Sequence, residues 1–111
     1  RVLVLGFTFK ENCPDLRNTR VIDLVHELQA FGSQVGIYDP HADRAEAQHE
    51  YGASLLAALP APGQYDALVV AVAHDKFKQL GIDGLRRLAN GRAVIYDIKG
   101  LFGKDEVDGR L

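Results

Sequence analysis

The feature that most constrains the fold of this chain is a regular alternation of short apolar runs with segments of helical periodicity. Apolar runs rich in β-branched residues are typical of strands that are buried on both faces of a sheet. When helices connect such strands, the sheet is parallel and covered on both faces, and the right-handed crossover rule makes the unit Rossmann-like. We therefore predict an α/β fold, a Rossmann-like three-layer sandwich with a mainly parallel sheet flanked by helices on both faces. The predicted strands are 1–6, 33–40, 65–73 and 92–100.

Helical spacing is clearest in the segment 18–32, which has apolar side chains on one face and polar ones on the other. Asn18 or Thr19 is predicted to cap the start of this helix, because short polar side chains can accept hydrogen bonds from free backbone N–H groups. Gly32 is predicted to end it. The apolar face consists of Val21, Leu24, Val25, Leu28 and Phe31.

The remaining segments are less regular. We predict a polar surface helix over 41–52, and one broken helix or two short helices over 74–90. The segment 54–63 is predicted to be a short apolar turn of helix that two prolines break. The tail 101–111 is predicted to be a loop.

Composition excludes several classes of protein. The 111 residues suffice for one domain with a single core, and a net charge of -2 gives no basic surface for nucleic acid. No apolar run approaches the roughly 20 residues of a membrane span. The single cysteine permits no internal disulfide, which fits a cytoplasmic location. Because the chain contains no methionine, we expect it to be a piece of a longer protein.

The carboxyl ends of the predicted strands are the expected place for a ligand, as in other parallel α/β sheets. The stretches "GFTFK", "YDP", "AVAHD" and "YDIKG" lie along that edge. Gly6 stands alone there, so the G-x-G-x-x-G turn that grips a dinucleotide is missing. A phosphate could instead be held by the ammonium group of Lys10 and by backbone N–H groups near the helix start.

Several side chains at this edge have two interpretations. Phe9 and Lys10 could contact the base and phosphate of a nucleotide, or Phe9 could plug the edge of the core while Lys10 stays solvated. Asp15 and Arg17 could pair to fix the loop, which their spacing favours, or Arg17 could contact an anion. Lys99 ends a buried strand at the ligand edge, where a residue that contacts an anion would lie.

Cys13, the histidines and the acids after the strands have simpler interpretations. Cys13 lies in the middle of a loop with no base close in sequence, so we interpret it as structural rather than nucleophilic. His41 and His49 do not form a set of metal ligands. His74-Asp75 is predicted to cap the next helix, and Asp39-Pro40 to stop a strand.

The stretch "VLGFTFKENCPDLRNTRVIDLVHELQAFGSQVGIYDP" resembles the opening of the C-terminal domain of the UDP-glucose/GDP-mannose dehydrogenase family. Members read approximately G-x-x-F-K-x-x-x-x-D-x-R-x-S/T, followed by a helix and by a strand that ends Y-D-P. The likeness continues through "VVAVAHDKF" and "VIYDIKG" and covers essentially the whole chain. The form "KENCPDLRNT" most resembles the branch that oxidises UDP-N-acetylhexosamines for capsule, O-antigen or Vi-type polysaccharides.

The resemblance implies that residues 1–111 are a single UDP-sugar-binding domain, the C-terminal fragment of a longer dehydrogenase. Such enzymes oxidise the C6 alcohol of the sugar to a carboxylate in two NAD-dependent steps, through a thiohemiacetal on a cysteine outside this chain. NAD would be bound mainly by the missing N-terminal domain. The fragment alone would be inactive, and it would contain no catalytic and no metal-binding residue.

The resemblance also implies partners and site residues. Phe9 and Lys10 match the pair that contacts the nucleotide sugar, and Lys99 matches a basic residue, often arginine, that contacts substrate. Arg17 matches an arginine that reaches the NAD phosphates across the interdomain cleft. The partners would be a UDP-sugar and the NAD-binding and central domains of the same cytoplasmic enzyme, which would be a homo-oligomer. No nucleic acid or membrane would be bound.

A second hypothesis is a non-catalytic module, a nucleotide-sensing or receiver-like α/β domain. Receiver domains place a lysine after the last strand, and Lys99 fits this loosely. They also place acids after the first strand, where this chain has "GFTFK", so no site for Mg²⁺ and a phosphoryl group is predicted.

Overall fold

A computed structural model describes residues 1–17 and 19–110, which form a five-stranded sheet with three helices. Every pair of neighbouring strands in it is parallel, and the strand order is β2-β1-β3-β4-β5. The predicted α/β fold is therefore confirmed. The elements are β1 Val2–Leu5, α1 Val21–Ala30, β2 Val35–Tyr38, α2 Arg44–Tyr51, β3 Tyr65–Val70, α3 Asp75–Leu88, β4 Ala89–Asp97 and β5 Gly109–Arg110.

Apolar side chains of the sheet are buried on both of its faces, as the continuous apolar runs require. Leu3 and Leu5 of β1 point to the face that α3 covers, whereas Val4 points to the face that α1 and α2 cover. Phe77 of α3 and Val25 of α1 are the buried contacts that dock these two helices on opposite faces. The sheet thus forms the middle of three layers.

The ends of α1 follow the predicted capping chemistry in part. Asn18 lies outside the described residues, but the Thr19 hydroxyl accepts a hydrogen bond from Val21 N–H (3.2 Å) and donates one to the Phe7 carbonyl (2.7 Å). Gly32 ends the helix as predicted, because its φ of 89° is the left-handed conformation that this position requires. The Ser33 N–H then reaches back to the Leu28 carbonyl, which completes a Schellman motif.

Two predictions of secondary structure are wrong. The segment 54–63 is not helical, because the Leu56 N–H donates to the Ile37 carbonyl at the edge of β2 (2.8 Å) instead of to a carbonyl of its own segment. The tail is not only loop, since Gly109–Arg110 adds β5 to the sheet beside β4. Asp108 aligns this strand: its carboxylate accepts from Ile95 N–H (2.8 Å), and its own N–H donates to the Ile95 carbonyl (2.9 Å).

The segment 74–90 contains one broken helix, as one of the two alternatives predicted. The helix α3 spans Asp75–Leu88, but it is broken at Gly81, whose φ of 68° and ψ of 172° are not helical. The residues after Leu88 continue directly into β4. Among the described residues no helix is long and apolar enough to span a membrane.

Gly6, at the end of β1, lies too close to Val72 to carry a side chain. Its φ is 100°, and an added Cβ would lie 2.6 Å from the Val72 Cβ and 2.8 Å from the Val72 N. We expect Gly6→Ala to lower the free energy of unfolding by about 2 kcal/mol, because backbone strain and overpacking add. The matched control is Gly63→Ala, which has a φ of 78° but no atom within 4 Å of the added Cβ. Equal losses in urea unfolding of the two variants would contradict the close approach at Gly6.

Candidate functional site

A cleft opens where β1, β3 and β4 end at their carboxyl termini. It has a volume of about 240 Å³ and an apolar floor. The connection from β1 leads to β2 on one side, and the connection from β2 returns to β3 on the other side of β1. The cleft therefore lies at the switch point of the sheet, where ligands of doubly wound α/β proteins bind. It is lined by Thr8, Phe9, Arg20, Val21, Leu24, Ala71, Val72, Ile98 and Lys99.

The structure brings together two of the four predicted site residues at this cleft. Phe9 and Lys99 both line it, although 90 positions separate them in the sequence. The Phe9 side chain is 52% exposed, so the alternative in which it plugs the core does not hold. Lys10 is exposed and follows Phe9 directly, but it is not among the lining residues. An aromatic face and an ammonium group thus border one apolar floor.

Arg17 is engaged by its own loop. Its Nε donates to Asp15 Oδ1 and its Nη2 donates to Asp15 Oδ2, each at 3.0 Å. This bidentate pair lowers the pKa of Asp15 and raises the pKa of Arg17. The Arg17 side chain is 85% exposed and does not line the cleft. The geometry agrees with the loop-fixing interpretation, and a contact with a cofactor would use the free edge of the guanidinium group.

Arg20 is a cleft residue that the sequence analysis missed. It directly precedes α1, lines the cleft beside Phe9, and its Nε lies 3.2 Å from Asp23 Oδ2. Both side chains of this pair are mostly exposed, so it is held weakly. The available signal was its position at the start of a helix that follows the ligand edge.

Asp39 is the centre of a buried hydrogen-bond network beneath the cleft, and its side chain is fully buried. Its Oδ2 accepts from the backbone N–H groups of Phe7 (2.6 Å) and Thr8 (2.9 Å). Its Oδ1 accepts from the N–H groups of His41 (2.7 Å) and Ala42 (3.1 Å). The prediction that Asp39 merely stops a strand missed that one carboxylate joins the ends of β1 and β2.

The pKa of Asp39 reflects this network. Burial alone would raise it, but the hydrogen bonds from His74 and from the backbone N–H groups of Phe7, Thr8 and His41 together lower the pKa of Asp39 to about 2. The carboxylate is therefore ionised throughout the physiological range. The charged carboxylate has a structural role, because its hydrogen bonds hold the backbone after β1 to the backbone after β2.

His74 is also fully buried, and it occupies the N-cap position of α3 as predicted. Its side chain, however, makes no capping hydrogen bond. Instead its Nε2 lies 2.8 Å from Asp39 Oδ2 and 3.1 Å from Thr8 Oγ1, while its Nδ1 accepts from the Asn12 N–H (2.8 Å). Sequence spacing gave no signal for this contact, because 35 residues separate His74 from Asp39.

The group of Thr8, His74 and Asp39 is not a nucleophilic triad. In such a triad the acid and the nucleophile occupy opposite nitrogens of the imidazole ring. Here the Asp39 carboxylate and the Thr8 hydroxyl both lie at Nε2, a backbone N–H occupies Nδ1, and all three residues are buried.

Cys13 is a half-buried free thiol. Since both nitrogens of His74 have other partners, the geometry agrees with a structural interpretation of Cys13.

Metal chemistry has no support in the described part of the chain. No three side chains among its histidines, cysteines and acids lie together in an arrangement that could hold an ion. His41 packs against the His74 ring, with 4.6 Å between the ring centroids, and His49 contacts Glu50 on the exposed side of α2. These contacts are those of packing and surface residues.

Fold and cleft together define a doubly wound α/β domain with a ligand cleft at its switch point. The model of the UDP-glucose/GDP-mannose dehydrogenase family, UDP binding domain, matches residues 3–104. The chain belongs to this family, which confirms the resemblance seen in the sequence.

Known relatives agree with this assignment. The UDP-N-acetyl-D-glucosamine 6-dehydrogenase of Pseudomonas aeruginosa is 47% identical over the whole of this chain, which covers 26% of that protein. The enzyme of the same name from Salmonella typhi is 46% identical over 99% of this chain and 26% of its own length. The solved structure of UDP-D-ManNAc dehydrogenase from Pyrococcus horikoshii superposes with a TM-score of 0.74 at 21% identity, and covers 98% of this chain and 24% of that one. The chain thus spans about a quarter of the length of the relatives that it matches.

Proposed function

We propose that this domain binds the UDP part of a UDP-sugar within an NAD-dependent nucleotide-sugar 6-dehydrogenase, and that residues 1–111 are the C-terminal domain of that enzyme. The observation that carries the proposal is the convergence of Phe9 and Lys99 on one cleft at the switch point of a domain of this family. The two 6-dehydrogenases named above act, by name, on UDP-N-acetyl-D-glucosamine. We therefore propose a UDP-N-acetylhexosamine as the substrate class, used for the synthesis of a surface polysaccharide.

The chemistry of the cleft suits a nucleoside diphosphate. The half-exposed ring of Phe9 offers a face or an edge to the uracil base. The ammonium groups of Lys10 and Lys99 carry the positive charge that a diphosphate needs. Arg20 adds a planar guanidinium group at the same cleft, and its weak pair with Asp23 leaves it available to a phosphate. Lys99 itself lacks such a bidentate fork, so it acts as a point charge.

The described residues lack the turn that would make NAD a primary ligand. Gly6 is the only glycine between β1 and α1, so the glycine-rich turn that grips a dinucleotide is missing. We propose that NAD, which accepts hydride in such oxidations, is held mainly by an N-terminal domain of the same protein. Arg17 would contact its phosphates from this side of the cleft between domains, with Asp15 holding the guanidinium in place.

The domain contributes binding energy rather than reacting groups. Contacts to a part of the substrate that does not react can position the reacting part, here the C6 alcohol of the sugar. The proposed partners are the NAD-binding and central domains of a cytoplasmic homo-oligomer. We expect no turnover from residues 1–111 alone. The appearance of NADH when this fragment is mixed with NAD and UDP-N-acetylglucosamine would contradict that expectation.

The receiver-like alternative has no support in the site. A receiver needs a cluster of acids that are free to bind Mg²⁺. Asp39 is the acid at the end of β2, and both of its oxygens are already filled by N–H donors. The discriminating experiment is a titration of the full-length protein with UDP, compared with one using acetyl phosphate and Mg²⁺. UDP binding favours the dehydrogenase domain, and phosphorylation with no UDP binding favours the receiver.

A further inference from the structure

The buried side chain of His74 contacts both ends of the loop that carries Phe9 and Lys10, whose Phe9 N–H also donates to the Asp15 carbonyl (2.7 Å). The Asn12 N–H donates to His74 Nδ1 (2.8 Å), and Asn12 itself has the uncommon left-handed φ of 57°. The Asn12 side-chain oxygen accepts from the Asp75 N–H at the start of α3 (2.8 Å). The far end of the loop is therefore tied to the end of β3 and to the start of α3.

The near end of the loop meets the same imidazole. Because Nδ1 accepts a hydrogen bond from a backbone N–H, the neutral ring carries its proton on Nε2. That proton points toward Asp39 Oδ2 (2.8 Å) and Thr8 Oγ1 (3.1 Å). The Thr8 hydroxyl in turn donates to the Lys10 carbonyl (3.1 Å). The Nε2 proton is therefore shared between Asp39 and Thr8, and the backbone on both sides of Phe9 is fixed.

We infer that His74 is a positioning residue, which holds the loop 8–12 in the conformation that presents Phe9 and Lys10 to the nucleotide. We call this group of Thr8, Asn12, Asp39 and His74 the polar clasp. The inference takes the identity of the ligand, UDP, from the proposed function. It does not rest on that function for the contacts themselves, which the structure shows directly.

The two ring nitrogens of His74 have different tasks, and this makes the inference testable. Nδ1 holds the far end of the loop through Asn12, whereas Nε2 serves the buried Asp39 and faces Thr8, whose N–H Asp39 also accepts. In His74→Asn the amide oxygen can take the place of Nδ1, so the contact with Asn12 is kept and the donor to Asp39 is lost. In His74→Gln the amide nitrogen can take the place of Nε2, so the donor to Asp39 is kept and the contact with Asn12 is lost.

The experiment uses the full-length protein with UDP as the probe. We expect His74→Gln to weaken UDP binding at least about fivefold. Its melting temperature should be closer to that of the wild type than the melting temperature of His74→Asn is. His74→Asn should lower the melting temperature further but bind UDP within about twofold of wild type. Without ligand, amide hydrogen exchange in residues 8–13 should be faster in His74→Gln than in His74→Asn. The controls are His49→Gln and His49→Asn, on the exposed side of α2.

A purely structural role predicts a different pattern, in which UDP affinity falls in step with the melting temperature in both variants. That pattern, or unchanged exchange of residues 8–13 in His74→Gln, would overturn the inference. If wild-type protein does not bind UDP, the proposed function fails, and positioning toward UDP fails with it. The exchange comparison still decides in that case whether His74 holds the loop.

Discussion

Replacing Asp39 by asparagine is expected to lower the free energy of unfolding by about 4 kcal/mol. The carboxylate accepts four backbone N–H groups and faces the imidazole of His74. An amide of the same shape must turn its NH₂ group toward one of the two pairs of donors, so at least two buried hydrogen bonds are lost. Each donor left unsatisfied in the interior costs about 1–3 kcal/mol. Urea unfolding of the full-length protein measures the loss.

The pH dependence of this effect has a defined sign. The pKa of Asp39 is lowered to about 2 in the folded protein, from its ordinary value of 3.8. A lowered folded pKa gives stability that is present above pH 4 and is lost as the pH falls toward 2. The difference in stability between wild type and Asp39→Asn should therefore shrink by about 2 kcal/mol over that range.

The control for Asp39 is the exposed Asp83, on the outer side of α3. Asp83→Asn removes the same charge and should change the free energy of unfolding by less than about 0.5 kcal/mol. If Asp39→Asn were as mild as Asp83→Asn, the buried network would not hold the ends of β1 and β2 together. A stability difference that stays constant between pH 4 and pH 2 would contradict the low pKa.

The double variant Lys10→Ala/Lys99→Ala is expected to raise the apparent KM for UDP-N-acetylglucosamine at least about a hundredfold in the full-length protein. A hydrogen bond to a charged group contributes about 1.5–3 kcal/mol, which is at least tenfold for each lysine. Lys10→Ala alone should therefore raise the KM at least about tenfold. The fall in kcat should be the smaller effect, since the lysines hold the part of the substrate that does not react.

A matched double variant tests whether the rise in KM comes from lost contacts with the substrate or from a general loss of positive charge. Lys78→Ala/Lys104→Ala removes two like charges from exposed positions that neither line the cleft nor, unlike Lys10, directly follow a residue that does. Its KM should stay within about twofold of wild type. Unchanged kinetics in Lys10→Ala/Lys99→Ala, or equal effects of the two double variants, would refute the assignment of Lys10 and Lys99.

The fold could be predicted from the sequence because its signals are local. Apolar runs and helical spacing depend on neighbouring residues, and parallel strands place their carboxyl ends on one edge. The positions of Phe9 and Lys99 at that edge followed without further information. The strand β5 could not be predicted in this way, because it has two residues, Gly109–Arg110, and is fixed by Asp108 through contacts with β4.

The network beneath the site could not be predicted for the same reason. Asp39 and His74 each have a sufficient local explanation, as a strand stop and a helix cap. In the contacts that join β1, β2 and β3, Asp39 and His74 bind partners that lie 31 or more residues away in the sequence. Only the strand order β2-β1-β3 brings these three ends together. The polar clasp is therefore a property of the topology.

The most direct test of the central claim is a lysine-labelling footprint of the full-length protein with and without UDP. The five lysines of this chain divide into Lys10 and Lys99 at the proposed site and a reference set on other exposed surfaces. Saturating UDP is predicted to slow acetylation of Lys10 and Lys99 at least about tenfold, because a phosphate that accepts hydrogen bonds from the ammonium group shields it. Labelling of Lys76, Lys78 and Lys104 should not change. Equal labelling of Lys10 and Lys99 with and without UDP would contradict the claim that this domain holds the nucleotide.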